Sequence, residues 1–347
     1  MKKVLMVCNS VMQIMAAVQI RRKLFTEDYG VIAISDFVPN MNELVERINR
    51  EGVFDQVIAL PVRNICFNAK KIKIQHIVRK YKYLDNIGKL DNYDYDVLMS
   101  GNIYGMLELY FNRVRNKKVE VYLLQDGNYN YIDEELQKLI FPNLKDKFFH
   151  DILKRLKGQF IFSAEYGYND ISKFESYDIP KISEEDKSIY NKIFLYNKRK
   201  VYDKKIVFLD QPFEEQGICM KEDELIRPII EKYGEDKVAI KIHPRTSKTK
   251  YSWYLESVID DEVPLEIIAL NNNIDILVTI SSSAGIMPCL CMDKSINAIF
   301  LYKLRKKEQD VLIDLEVFDK MMNKIMINHK NIQIAMNQEQ YRSLLDE

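Results

Sequence analysis

The first half of the chain repeats one beat, a short apolar, β-branched run followed by a longer segment with apolar residues at helical spacing. KKVLMVC, YGVIAIS, FDQVIALP, YDVLMSG and KVEVYLLQDG read as strands, and MNELVERINREG reads as a helix stopped by Gly52. Strands alternating with helices predict a mostly parallel sheet covered on both faces. From Ile182 to Lys205 the chain turns highly charged and loses its strand signal. The beat then restarts with KKIVFLDQP, a helix over Lys221 to Tyr233, KVAIKIHP, PLEIIALNNN, IDILVTISSS, a helix after Ser283, and SINAIFLY. The expected organisation is an N-terminal α/β domain over 1–185, a linker over 186–205, a second α/β domain over 206–311, and a helical tail over 312–347 that packs back on the first domain.

Composition narrows the class. At 347 residues, with 47% apolar residues and only 11 Gly and 9 Pro, the chain is a folded globular protein with a substantial core. Its 51 basic and 51 acidic residues cancel, which removes bulk attraction to nucleic acid as a default. The five cysteines are scattered in apolar runs without a CxxC pair, so they read as reduced core residues in a cytoplasmic protein. The N-terminal MKKVLMVCNSVMQIMAAVQIRRK carries Asn9, Ser10 and Gln13 inside its apolar stretch, which fits a strand, loop and helix better than a signal peptide. No stretch reaches the roughly 18 to 20 apolar residues of a membrane span. Between Gln56 and Leu84 there are seven basic residues and no acidic one, with Phe67, Tyr81 and Tyr83 interleaved. Residues 63–82 are thus a candidate for peripheral contact with an anionic membrane or an anionic glycan, or simply the wet face of a helix.

In open α/β sheets ligands bind beyond the carboxyl ends of the strands, so polar residues placed there carry the chemistry. Asp126-Gly127-Asn128 follows the strand Val119 to Leu124. A carboxylate held there can take a proton from a hydroxyl nucleophile, although Asp-Gly alone reads first as a β-turn. KVAIKI runs into His243-Pro244-Arg245, whose histidine and arginine offer donors suited to a phosphate. ILVTI runs into Ser281, Ser282 and Ser283, where hydroxyls and backbone N–H groups at a helix start suit an anion, while a plain N-cap accounts for one of the three. VFL runs into Asp210-Gln211-Pro212, with Glu214 and Glu215 just beyond, which an ordinary solvated loop explains equally well. Asp94-Tyr95-Asp96 has the D-x-D form of a metal-nucleotide site but precedes its strand, so it reads as strand-start polarity. GxGxxG and Walker patterns are absent.

Taken in order, the Asp-Gly, the HPR and the serine run resemble the motifs of bacterial sialyltransferases of glycosyltransferase family 52, the lipooligosaccharide and capsule group. The Cys8-Asn9-Ser10-Val11-Met12-Gln13 stretch is similar to that family's C-x-[ST]-x-x-Q segment, and Gln211-Pro212 resembles its interdomain strand end. The resemblance spans Cys8 to Ser283, and departs where Gln125 stands in place of a frequent second carboxylate and where Phe213 then Glu214 follow Gln211-Pro212. It implies a GT-B fold, two Rossmann-like domains facing an interdomain cleft. It also implies metal-independent transfer of sialic acid from CMP-sialic acid, with inversion, to a glycan acceptor ending in a sugar such as galactose. Asp126 or Glu214 would be the base and His243 would stabilise departing CMP. Gln13, Gly127, Asn128, Gln211, Pro244, Arg245 and Ser281 to Ser283 would bind substrate. A CDP-glycerol-type polymer transferase shares the HP and serine motifs, and Gln125 keeps open a silent nucleotide or glycan binder.

Overall fold

The computed structural model describes residues 1–61, 94–101, 116–133, 154–168, 174–213, 221–304 and 315–346. Glu214, Glu215 and the basic segment 63–82 lie outside these. The chain divides into two compact units, Met1–Lys181 and Ile182–Glu347.

The first unit is built on β1 (Lys3–Cys8), β2 (Tyr29–Ser35), β3 (Gln56–Leu60), β4 (Val97–Ser100), β5 (Glu120–Leu124), β6 (Leu156–Ile161) and β7 (Glu175–Asp178), with α1 (Val11–Lys23) and α2 (Met41–Arg50) between strands. The order is β3-β2-β1-β4-β5-β6-β7 and every pairing is parallel. Val4 to Cys8 are fully buried, as a strand covered on both faces must be. Winding outward from β1 in both directions puts the topological switch between β1 and β4. Asp96, at the opposite edge, spends its carboxylate on the Lys3 backbone N–H (2.9 Å) and the Asn116 amide (3.1 Å), as strand-start polarity does.

The second unit contains α3 (Lys187–Ile193), β8 (Ile206–Leu209), α4 (Glu222–Tyr233), β9 (Val238–Lys241), β10 (Val258–Ile259), α5 (Leu265–Asn271), β11 (Ile276–Thr279), α6 (Met287–Cys291), β12 (Asn297–Phe300), α7 (Leu315–Met326), β13 (Ile332–Ile334) and α8 (Gln338–Leu344). Its parallel sheet runs β10-β9-β8-β11-β12-β13, with the switch between β8 and β11.

Three expectations change. The charged segment 186–205 is not a bare linker, because α3 ties itself to α5 through paired Asn191 and Asn271 amides, and Arg199 bonds Asp261 at 2.6 Å. PLEIIALNNN is a helix, its Pro264 standing at the N-cap position. The tail completes the second sheet: β13 pairs with β12, and the Tyr341 hydroxyl donates to the Leu225 carbonyl at 2.7 Å.

Candidate functional site

In the first unit, the carboxyl ends of β1, β4 and β5 bring one polar cluster together. Parallel register sets Val7 level with Ser100 and Ser100 level with Leu123, so the residues that follow these strands emerge side by side. Ser10 caps α1, accepting the Gln13 N–H at 3.3 Å, and its hydroxyl donates to Asp126 Oδ1 at 3.0 Å. Gln13 is buried, and its Oε1 accepts the Asn9 N–H at 2.7 Å. Gly101 closes the cluster: a Cβ there would meet Gln13 Nε2 at 2.1 Å and Asp126 Cβ at 3.0 Å. Only a glycine lets the β4 end pass this close to both groups.

The Asp126 turn is fixed from behind. Asn130, fully buried, accepts the Asp126 backbone N–H at 2.6 Å, and its amide donates to Gln159 Oε1 at 3.1 Å. Gln159 in turn donates to the Asn130 carbonyl and to Ser176 Oγ. Gly127 takes the left-handed φ of 61° that the turn requires. Asp126 Oδ2 has no hydrogen-bond partner among the described residues, so one oxygen is held and the other is open to a proton. The Asn128 and Asn9 side-chain oxygens, both shielded from solvent, also lack partners. Cys8 lies beneath; burial and then the Asp126 charge push its thiol far above its ordinary value, so it stays protonated and inert.

Gln125, which stands where the resembled family often has a second carboxylate, is bonded at both ends of its amide. It is fully buried, its Oε1 accepting the Tyr131 hydroxyl and the Phe162 N–H, both at 3.0 Å, while its amide donates to the Gly127 carbonyl at 2.7 Å. With the strand alternating, Gln125 points into the core and braces the turn that presents Asp126.

In the second unit, β8, β9 and β11 end in one row, Leu209 level with both Lys241 and Thr279. Gln211 bridges to Ser281, its Oε1 accepting the Ser281 N–H at 2.7 Å and its amide donating to Ser281 Oγ at 3.2 Å. Ser281 is therefore consumed in tying two strand ends together. Ser282 caps the short turn Ser283–Gly285 by accepting the Ala284 N–H, and Ser283 is part-exposed beside it. The helix that follows, α6, has only five residues, so its dipole adds little to an anion site here.

His243 leads a tight turn in which its carbonyl accepts the Thr246 N–H and its Nδ1 accepts the Arg245 N–H at 3.1 Å. An accepting Nδ1 places the proton of the neutral ring on Nε2. Pro244 and Arg245 are exposed. Beneath the turn, Asp210 is buried, not solvated: Oδ2 accepts the His243 backbone N–H at 3.0 Å, and Oδ1 accepts Lys250 Nζ at 2.8 Å and the Tyr251 hydroxyl at 2.7 Å. Glu222, at the first position of α4, shares both Lys250 and Tyr251 through Oε2. Burial, and then the Asp210 charge, push the Glu222 carboxyl up to about 7. For Lys250, burial alone would lower the ammonium, and its bonds to both carboxylates reverse this.

Glu214 falls outside the described residues, so Asp126 is the base candidate whose surroundings are visible. Sequence reasoning passed over Asn130, Gln159, Gly101, Glu222, Lys250 and Tyr251. The signal it had for one of them was Gln159, a polar residue inside the apolar strand LKGQFI. Among the described residues there is no group of three His, Cys, Asp or Glu side chains able to hold a metal ion, and no helix is long and apolar enough to cross a membrane.

A family model described as alpha-2,8-polysialyltransferase matches residues 4–297. No curated protein sequence matches. Among solved structures the chain is similar to the UDP-GlcNAc 2-epimerase from Methanocaldococcus jannaschii, with TM-score 0.53 at 13% identity over 99% of this chain and 92% of that one. It is also similar to Arabidopsis thaliana UGT89C1 complexed with UDP, TM-score 0.53 at 9% identity over 99% and 89%. The S. aureus MnaA–UDP co-structure gives 0.50 at 11% identity over 100% and 91%. At these identities the likeness is one of fold, the GT-B arrangement of two parallel-sheet α/β units.

Proposed function

The chain belongs to the alpha-2,8-polysialyltransferase family, and from that premise we propose that this glycosyltransferase moves sialic acid from CMP-sialic acid to a hydroxyl of a bacterial surface glycan, of the lipooligosaccharide or capsule kind, with inversion and without a metal. The observation that carries the reading is the Asp126 carboxylate, clamped through Oδ1 by Ser10 and through its backbone by Asn130, with Oδ2 open. A base fixed on the sheet keeps reacting atoms near the roughly 3 Å approach that attack needs.

As the acceptor oxygen bonds to the anomeric carbon, its proton passes to Asp126, and the bond from that carbon to the CMP phosphate breaks with its electron pair leaving on the phosphate. His243, with Nε2–H as donor, and Arg245 stabilise that charge. Ser282 and Ser283 complete the anion cradle, while Gln211 and Ser281 hold the strand ends that carry it. Asn9 and Asn128 suit an acceptor rich in hydroxyls, because their oxygens lack partners. The buried, fully bonded Gln125 removes the reason for reading a lost catalytic group, which favours an enzyme over a silent binder.

The test is a thermal-shift series with CMP, CDP, UDP and GDP, followed by transfer assays with CMP-sialic acid and CDP-glycerol, each with and without EDTA. CMP raises the melting temperature by linkage, and EDTA leaves both the shift and the turnover unchanged. Turnover of CDP-glycerol alone overturns the donor, and a strict need for added Mg²⁺ overturns the metal-free chemistry.

A further inference from the structure

We infer that Asp210 is the positioning residue of the His243 turn, held in place by a buried brace of Lys250, Tyr251 and Glu222, and that the charge of this brace sets how firmly the turn holds an anionic phosphate. The inference deepens the proposed donor site and rests on that reading for its ligand.

Asp210 is the first residue after β8 and is 3% exposed. A buried carboxylate persists only when its lone pairs are occupied. Here one oxygen serves the turn, through the His243 N–H, and the other takes Lys250 and Tyr251. Both of those donors come from the chain seven and eight residues beyond His243, so the same carboxylate ties the beginning of the loop to its end. Glu222 approaches from α4 and competes for the same two donors. Its second oxygen, Oε1, is buried and has no partner among the described residues, which is where a proton would reside.

Among the described residues, the charges facing Glu222 are Asp210 from the end of β8 and Lys250 from the loop after β9, with the Tyr251 hydroxyl beside them; on its own helix Glu224 is paired with Lys221, and Asp223 is exposed. With Glu222 protonated, Lys250 neutralises Asp210 and the brace carries no net charge. With Glu222 ionised, Lys250 is divided between two carboxylates and the brace carries one negative charge beneath a phosphate-binding turn. Burial and the Asp210 charge place this change near neutrality. Relative to a brace that cannot ionise at Glu222, binding of a phosphate anion therefore weakens as pH rises from 6 to 8.

Two readouts separate the brace from its ligand. The first needs no ligand: the chain has four histidines, so selective ¹⁵N-histidine labelling resolves the His243 amide, and Asp210→Ala accelerates its hydrogen exchange by about tenfold or more. The second is CMP affinity from pH 6 to 8. Relative to Glu222→Gln, which keeps the His243 amide protected and carries only the titration of CMP itself, wild type loses affinity across that range, and Tyr251→Phe weakens CMP by about threefold with little change in melting. If Asp210→Ala does not fold, Tyr251→Phe carries the same test by speeding His243 exchange. A protected His243 amide in a folded Asp210→Ala protein overturns the positioning role. Parallel pH profiles in wild type and Glu222→Gln overturn the charge brace. If wild type binds no CMP at any pH while Asp210→Ala still frees the His243 amide, the donor reading fails and the positioning stands.

Discussion

The roles we propose for Asp126 and His243 differ enough that one substitution at each tests them. Asp126→Asn keeps the Ser10 and Asn130 bonds nearly isosteric while removing the proposed proton acceptor, so the expected outcome is loss of single-turnover transfer with CMP affinity kept. His243→Ala lowers turnover by about 10²- to 10³-fold, the usual cost of one donor at a developing charge, and weakens CMP as well. Measuring both parameters for both variants, beside Glu214→Gln, assigns the roles; loss of chemistry in Glu214→Gln alone moves the base to the second unit. Gly101→Ala is the third informative change at this scale. Its methyl must displace the Gln13 amide, only 2.1 Å away, and with it the bond that holds Asn9. The neighbour is the end of a flexible side chain, so the expected outcome is a melting temperature within a few degrees of wild type and a turnover reduced by about tenfold or more. The sequence offered Gln13 and Asp126 by motif order, whereas Gly101 emerges only when β4 is known to lie between β1 and β5.

At the scale of elements, the Glu222 carboxyl makes α4 and the loop after β9 respond to pH together. Its folded value, about 7, lies above the ordinary 4.5, so the folded state holds its proton more tightly than the unfolded chain. The stability this proton confers is complete below about pH 4.5 and is lost as pH rises through 7, at up to about 1.4 kcal/mol for each unit of separation. Wild type and Glu222→Gln should melt alike at pH 5, and the variant should melt higher at pH 8; calorimetry at the two values decides it, and parallel melting curves would refute the assignment. Strands β1, β2, β3, β4, β5, β8, β9, β11 and β12 were legible because sheets covered on both faces favour unbroken apolar runs. β7, with Glu175, Ser176 and Asp178, and β13, three residues long, were hidden because edge strands need neither apolarity nor length. α5 was ambiguous for the converse reason: a short helix buried almost throughout reads like a buried strand. The Asp210 brace was opaque because its members come from three separate segments, which no local pattern joins.

On the scale of the whole molecule, each sheet winds outward from its first strand, and each places its polar residues where the winding reverses. That much followed from the alternation of strands and helices together with the rule that ligands gather beyond carboxyl ends. The allotment of the tail did not, because amphipathic helix-forming residues state that they will pack without stating on what. The division at Lys181 predicts that residues 1–181 form a cooperative unit when expressed alone, with a sigmoidal melt by circular dichroism; a featureless melt would show the units to be interdependent. Strand β7 closes the first sheet at Asp178, yet the second sheet cannot be finished until β13, at Ile332–Ile334, has been made. During synthesis, at about 5–20 residues per second, the half bearing Asp126 can condense on the ribosome while the half bearing His243 stays incomplete for roughly ten seconds or more. A ribosome that stalls in that interval leaves a nascent chain with the Asp126 turn finished and the sheet beneath the His243 turn unclosed, so it holds only half of the site we propose.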